Sequence, residues 1–146
     1  MRRPALTPRH VAAATLAAAV SVAPGSARLA PPGLGEVPAV ALTIHHSRFS
    51  RTHVPVGGGL VRFVVRNTDP IDHELIIGDQ AVQDRHERGT EPRHPPRPGE
   101  VSIAAGTTAA TVYVFAPSGS VLFGCHLPGH WAYGMHGEMT VARHRP

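Results

Sequence analysis

Short apolar runs with a period of two, separated by glycine and proline turns, constrain the fold of this chain more than any other feature. In the run from 60 to 66, Val61, Phe63 and Val65 share one face, as in a strand with one buried side. Runs of this kind predict strands at 40–44, 60–66, 73–77, 101–103, 111–115, 121–125 and 138–142. Such a series predicts an all-β domain, a single antiparallel Greek-key β-sandwich.

The stretch from 79 to 99 breaks this pattern. It is rich in proline and charged residues and shows no sustained alternation. A structureless loop of this length is uncommon in a compact domain. We therefore expect a short helix at Gln80–Glu87 within it.

The N-terminal residues 1–27 have the pattern of a secretory signal peptide. Three arginines precede 13 mostly small apolar residues at 11–23, and small residues follow. The alternative is a membrane anchor, but a helix that spans the bilayer needs about 20 apolar residues. We expect a periplasmic or secreted protein with no membrane span in the mature chain. The predicted organisation is a signal peptide at 1–27, a flexible lead-in at 28–36, one domain at 37–142 and a tail at 143–146.

The charge of the chain argues against a nucleic-acid partner. The whole chain carries 14 basic and 10 acidic residues, for a net charge of +4. Three of the arginines lie in the predicted leader, which leaves 11 against the same 10 acids and a net charge of +1. The sequence also lacks a basic stripe interleaved with aromatic residues, the pattern typical of nucleic-acid binding.

Cys125 is the only cysteine of the chain. No intramolecular disulfide can form, so the domain must be stable through its apolar core alone. A lone thiol in an oxidising compartment is buried, bound to a ligand or exposed to damage. Val121, Phe123 and Cys125 share a face by the period of two, so we expect the thiol to point inward.

Three residues able to bind a metal follow one another at regular spacing. Cys125 is followed by His130 and then by Met135, each five residues on, beside a Pro–Gly turn. Thiolate, imidazole and thioether together suit copper, whereas zinc sites rarely use methionine. His73, at the start of a predicted strand, is the natural second imidazole for a trigonal site with an axial methionine. The alternative is a buried structural thiol, with Met135 filling the core.

The segment Phe123-Gly-Cys-His-Leu-Pro-Gly-His-Trp-Ala-Tyr-Gly-Met135 resembles the copper-binding loop of the cupredoxins, the family of azurin, plastocyanin and rusticyanin. The segment Asn67-Thr-Asp-Pro-Ile-Asp-His73-Glu resembles the turn and strand that carry the first histidine of that family. The resemblance implies one type 1 copper ion that cycles between Cu(I) and Cu(II). It also implies His73, Cys125 and His130 as equatorial ligands and Met135 as the axial ligand.

Two functions are open for such a copper site. The resemblance implies a monomeric one-electron carrier that docks with an extracytoplasmic redox protein near His130 and has no small-molecule substrate. Copper handling or copper resistance is the alternative, which the 11 histidines favour. Multicopper oxidases place a histidine where Gly124 stands and need His-x-His pairs, so we expect no enzymatic activity. We expect a backbone N–H near Glu74 to donate to the ligand sulfur and tune the potential.

Other histidine and aromatic residues lead to less specific predictions. His126 and His136 each follow a candidate ligand, and the strand period directs them away from the metal, so we expect both at the surface. Two interpretations of Trp131 are open. It is either a core residue or part of the ring of apolar residues that the resemblance implies around His130. Histidines outside the loop, such as His86 and His94, could form a second copper site.

Overall fold

The computed structural model describes residues 36–89 and 96–142. The predicted signal peptide, the predicted lead-in except for Glu36, the predicted tail and His94 lie outside these ranges. Their predictions therefore stay predictions. No helix in the described ranges is both long and apolar enough to cross a membrane.

The described residues form eight strands and one α-helix. In chain order these are β1 Ala39–Ile44, β2 His53–Val56, β3 Gly59–Asn67, β4 His73–Gly78, α1 Gln80–Glu87, β5 Glu100–Ile103, β6 Thr108–Phe115, β7 Gly119–Gly124 and β8 His136–Val141. All seven predicted strands are present, with ends that differ by at most three residues. The predicted helix is confirmed with the same bounds.

The strands form two sheets that enclose one apolar core. One sheet has the order β1-β3-β6, and the other has the order β2-β8-β7-β4-β5. The predicted buried face of β3 is confirmed, because Val61, Phe63 and Val65 are at most 1% exposed. Phe123 of β7 contributes to the same core from the other sheet. The predicted all-β sandwich is thereby confirmed.

Two edge pairs of the sandwich are parallel, which differs from the antiparallel expectation. β1 lies parallel to β3, and β2 lies parallel to β8. The chain passes from β1 in one sheet to β2 in the other and returns to β3, so two reversals leave β1 and β3 pointing the same way. Side-chain alternation reports which face of a strand is buried and carries no information on strand direction.

Strand β2 has no counterpart among the predicted strands. Its sequence contains Pro55, which lacks a backbone N–H and argues against a central strand. β2 is the outer strand of its sheet, where a proline is tolerated. Val54 and Val56 on either side of the proline are buried in the core.

Helix α1 follows β4 directly and packs on β4 and β7. Asp79 caps its N-terminus, because Asp79 Oδ1 accepts a hydrogen bond from the Val82 N–H at 3.0 Å. Val82 lies against Gly78, where an added Cβ would approach the Val82 Cβ to 2.6 Å. Glycine at this position therefore permits the close contact between the helix and the sheet.

Candidate metal centre

Three of the predicted ligands meet at one end of the five-stranded sheet. Because β4 and β7 are antiparallel neighbours, His73 at the start of β4 lies near Cys125, which follows β7. The ligand atoms of His73, Cys125 and His130 all lie within 4.8 Å of one another. His73 and Cys125 are buried, and His130 is partly exposed. Within the described ranges, no other group of three His, Cys, Asp or Glu residues converges in this way.

His73 is oriented by the carboxylate of Asp69. His73 Nε2 lies 3.0 Å from Asp69 Oδ2, so the imidazole donates its proton to the carboxylate. The other ring nitrogen, Nδ1, is buried and has no hydrogen-bond partner among the described residues. Since Nε2 carries the proton, Nδ1 presents a lone pair, which is the form of histidine that binds a metal. A buried polar atom without a partner is rare, and a metal would explain this one.

Asp69 is itself fixed by the turn before β4. Its carboxylate oxygens accept hydrogen bonds from the N–H groups of His46 and Ser47, both at 2.7 Å. Asn67 Oδ1 accepts the Asp69 N–H at 2.9 Å. Burial opposes ionisation, but the N–H donors and the imidazole of His73 together hold the pKa of Asp69 below its ordinary value. The turn therefore presents an ionised carboxylate to the first histidine.

The loop from Cys125 to Met135, here called the ligand loop, is closed by its own backbone. The Cys125 N–H donates to the Met135 carbonyl at 3.0 Å, and the Met135 N–H donates to the His130 carbonyl at 3.0 Å. His130 Nδ1 lies 3.2 Å from Cys125 Sγ. Met135 is fully buried in the same apolar cluster as the cysteine. The loop thus folds its three predicted ligands back towards one end of the sandwich.

The Cys125 sulfur lies in a dry environment that still supplies hydrogen-bond donors. Burial raises the pKa of the Cys125 thiol to about 12, and backbone N–H groups of Leu127 and Glu74 that donate to the sulfur only partly oppose this. The predicted donor near Glu74 stays a prediction, which the effect of the Glu74 backbone on this pKa supports. A metal bound here would displace the thiol proton, and the two N–H groups would then stabilise the thiolate.

The second histidine of the site favours its neutral form. Burial lowers the pKa of His130, and nearby His73 lowers it further, while Glu74 and Asp69 act in the opposite direction. Neutral imidazole is the form that binds metals. One cysteine sulfur and two imidazoles are a donor set that suits copper.

His126 is not a surface residue, so that prediction is wrong. Its side chain is 2% exposed, with Nδ1 2.8 Å from Glu87 Oε2 and Nε2 2.7 Å from Gln83 Oε1. Helix α1 covers this side of the sheet. The sequence pattern around the cysteine reports only on neighbouring positions, so it could not predict that a distant helix buries His126. His136 is exposed, as predicted.

Trp131 lies within the ligand loop and outside the apolar core cluster. Its partly buried ring is stacked between those of His126 and His136, with ring centroids 4.7 Å and 4.5 Å away. Of the histidines considered for a second copper site, His86 is buried with Nε2 3.4 Å from Glu100 Oε1, and it joins no group of three metal-binding residues among those that the structure describes.

The chain resembles curated copper proteins over about half of their length. No protein-family model matches it. Relatives described as "Copper-resistant cuproprotein CopI" from Rubrivivax gelatinosus and Vibrio cholerae are 37% identical over 87 residues and 35% identical over 79 residues. These alignments cover 58% and 52% of this chain but only 53% and 47% of the relatives. The chain therefore spans about half the length of the curated relatives it matches.

Solved structures share the fold over a larger part of the chain. Auracyanin from Roseiflexus castenholzii has a TM-score of 0.61 at 20% identity, covering 74% of this chain and 99% of the auracyanin chain. Auracyanin A from Chloroflexus aurantiacus, described as a "blue" copper protein, has a TM-score of 0.59 at 16% identity, covering 73% and 100%. The chain therefore shares the fold of the auracyanins, and its described residues form a His–Cys–His group suited to copper at one end of the five-stranded sheet.

Proposed function

We propose that the chain binds one copper ion through His73, Cys125 and His130, with Met135 as a weak axial ligand. The observation that carries this proposal is the Nδ1 atom of His73. It is buried without a partner among the described residues, in a ring that offers a ligand nitrogen within 4.8 Å of a cysteine sulfur and a second imidazole nitrogen. Copper in both oxidation states accepts such a mixture of soft and borderline ligands.

The function best supported is one-electron transfer outside the cytoplasm. Copper supplies the redox chemistry, and the protein supplies ligands, a dry pocket and a docking face. The ligands come from the start of β4 and from a loop closed by its own hydrogen bonds. A site held this firmly reorganises little between oxidation states, which favours fast electron transfer. No substrate is transformed in this role.

His130 offers an electron a route to the surface. Its ring is partly exposed, and Pro128 and Gly129 beside it are exposed. The Tyr133 side chain, which lies against Gly129, is 77% exposed. A small surface of this kind suits the short-lived docking of a redox partner. We propose that the chain is a monomer and that its redox partner docks on this surface around His130.

Copper resistance is the second candidate function. Both curated relatives described above carry that designation, although this chain spans only about half of each. In this role the same site would sequester copper. The signal-peptide pattern at 1–27 supports a location outside the cytoplasm for either function.

The visible spectrum of the full chain after addition of Cu(II) tests the site. One equivalent should give intense thiolate-to-copper absorption, which Cys125→Ser should abolish and His73→Ala should strongly perturb. Met135→Leu should keep the colour and raise the reduction potential, because a weak donor is lost. A colourless wild-type protein, or full colour in Cys125→Ser, would refute the site. An unchanged potential in Met135→Leu would remove the methionine from the ligand set.

Copper stoichiometry separates the two functions. A single coloured copper that is reduced and reoxidised reversibly supports electron transfer. Several additional weakly bound and colourless ions support buffering. Equilibrium dialysis of the wild-type chain and of Cys125→Ser against Cu(II) measures the total number of bound copper ions. The difference between the two proteins gives the copper bound at the thiolate.

A further inference from the structure

Helix α1 is connected to the ligand loop through the side chain of His126. The imidazole is buried at 2% exposed, and both of its nitrogens face oxygen atoms of the helix. Nδ1 lies 2.8 Å from Glu87 Oε2, and Nε2 lies 2.7 Å from Gln83 Oε1. These partners are 39 and 43 residues away in sequence. A single side chain next to the ligand cysteine thus makes two hydrogen bonds to a distant element.

Gln83 is a firm anchor for this contact. It is 1% exposed, and its Nε2 donates to the carbonyls of Gly78 at 3.2 Å and Leu122 at 3.3 Å. These carbonyls belong to β4 and β7, the two strands that lead to the metal centre. Since the amide nitrogen is engaged with carbonyls, the amide oxygen is the atom that accepts from His126. The helix is therefore locked to both strands and to the loop at once.

His126 also packs on the middle of the ligand loop. Its ring stacks on Trp131 with an interplanar angle of 15° and a centroid distance of 4.7 Å. Trp131 lies over Gly124, where an added Cβ would overlap the indole ring. Trp131 directly follows His130, so its stacking on His126 restrains the backbone next to His130. The His126 ring therefore touches the loop beside two of the proposed ligands.

The backbone around His126 determines the hydrogen bonds of the ligand sulfur. The His126 N–H donates to Glu74 Oε1 at 2.7 Å. The backbone N–H groups of Glu74 and Leu127 both lower the pKa of the Cys125 thiol, as donors directed at its sulfur would. A displacement of residue 126 would therefore move Leu127 and change the donors around the thiolate.

We propose that His126 is a positioning residue for the copper ion, with Gln83 and Glu87 of helix α1 as its supports. This proposal rests on copper binding at the proposed site. Through His126, the helix inserted after β4 fixes the geometry of the cysteine ligand, although no atom of the helix is a proposed ligand. Loss of residues that orient metal ligands typically weakens metal binding by about 10- to 100-fold.

His136 provides a matched control. Like His126, it follows a proposed ligand directly and stacks on Trp131, at 4.5 Å, but it is exposed. We expect His126→Ala to weaken Cu(I) binding about 10-fold or more, measured by competition with a chromogenic chelator. The visible spectrum and reduction potential of the copper-loaded protein should also shift. His136→Ala should leave all three measurements close to wild type.

Glu87 provides a variant that spares the buried ring. Its side chain is 46% exposed, so Glu87→Ala should fold even if His126→Ala does not. We expect Glu87→Ala to weaken copper binding in the same direction, and Glu87→Gln, which keeps an acceptor oxygen, to restore it. The proposal is overturned if His126→Ala or Glu87→Ala lowers the melting temperature while copper affinity, spectrum and potential stay at wild-type values. A wild-type protein that fails to develop the copper–thiolate colour would instead defeat the proposed function itself.

Discussion

At the scale of single residues, the carboxylate of Asp69 decides how His73 can act. It accepts the proton of Nε2 and so leaves Nδ1 as the free lone pair of a buried ring. The same carboxylate is held by two backbone N–H groups from residues 46 and 47. Metal-bound histidines commonly have such a carboxylate behind them, which fixes both the tautomer and the orientation of the ring.

Asp69→Asn should therefore weaken copper binding by about 10-fold or more. The amide nitrogen of asparagine would face a donor N–H or the His73 ring, so the fixed tautomer is lost. Chelator competition measures the change. Asp72→Asn is the control, because Asp72 is exposed and its carboxylate accepts a hydrogen bond from the Ala105 N–H rather than from His73. Equal affinity in wild type and Asp69→Asn would contradict this role.

The lowered pKa of Asp69 also predicts how stability depends on pH. Asp69 has a pKa below its ordinary value of 3.8 in the folded protein, so in acid the unfolded chain binds this proton more readily. Its contribution to the free energy of unfolding is thus complete above the ordinary value and is lost as the pH falls through the folded value. Urea unfolding of the copper-free protein from about pH 6 to pH 2 should show this loss. Asp69→Asn should flatten the acid side of that profile, and an unchanged slope would contradict the assignment.

At the scale of elements, β8 links the ligand loop to the edge of its sheet. Gly137 of β8 pairs with Phe123 of β7, and an added Cβ would overlap the Thr52 carbonyl oxygen and approach the Phe123 ring to 2.6 Å. The Glu138 N–H donates to that Thr52 carbonyl at 2.8 Å. The missing side chain therefore lets the chain before β2 lie against β8.

Gly137→Ala should lower the free energy of unfolding by about 1–3 kcal/mol, the usual cost of forcing extra atoms into a packed site. Chemical denaturation of the copper-free protein measures this change. Gly57→Ala is a fair comparison, because no atom lies within 4 Å of an added Cβ there and its φ lies outside the positive range. Comparable stability in the two variants would show that the contact at 137 is relieved at little cost.

At the scale of the whole molecule, the proposed copper ion would join two parts of the chain that are far apart in sequence. His73 is on β4, whereas Cys125 and His130 come from the connection between β7 and β8. A ligand that binds only the folded form stabilises it by mass action, by about 2.7 kcal/mol when free ligand exceeds Kd a hundredfold. Copper should therefore act on the stability of the entire sandwich.

Addition of one equivalent of Cu(I) should raise the melting temperature of the wild-type chain. The thermal transition, followed by circular dichroism, gives the shift. Cys125→Ser should show little or no rise, since the thiolate is lost. The same rise in both proteins would place the stabilising copper somewhere else.

Three of the four candidate ligands could be predicted because they are local in sequence. Cys125, His130 and Met135 lie within one strand end and one turn, where spacing alone predicts that the side chains return to a common region. The buried face of β3 and helix α1 were predictable for a similar reason, because periodicity and turn residues report on neighbouring positions along the chain. The export signal remains a prediction of the same local kind.

Only the tertiary structure decided which distant groups support those ligands. Asp69 receives N–H groups from 22 and 23 residues away, and His126 meets side chains of α1 about 40 residues away. The parallel pairing of β1 with β3 and of β2 with β8 likewise follows from the path of the chain between the two sheets. Such contacts depend on how elements pack through space, and alternation within each element is the same whichever partner it meets.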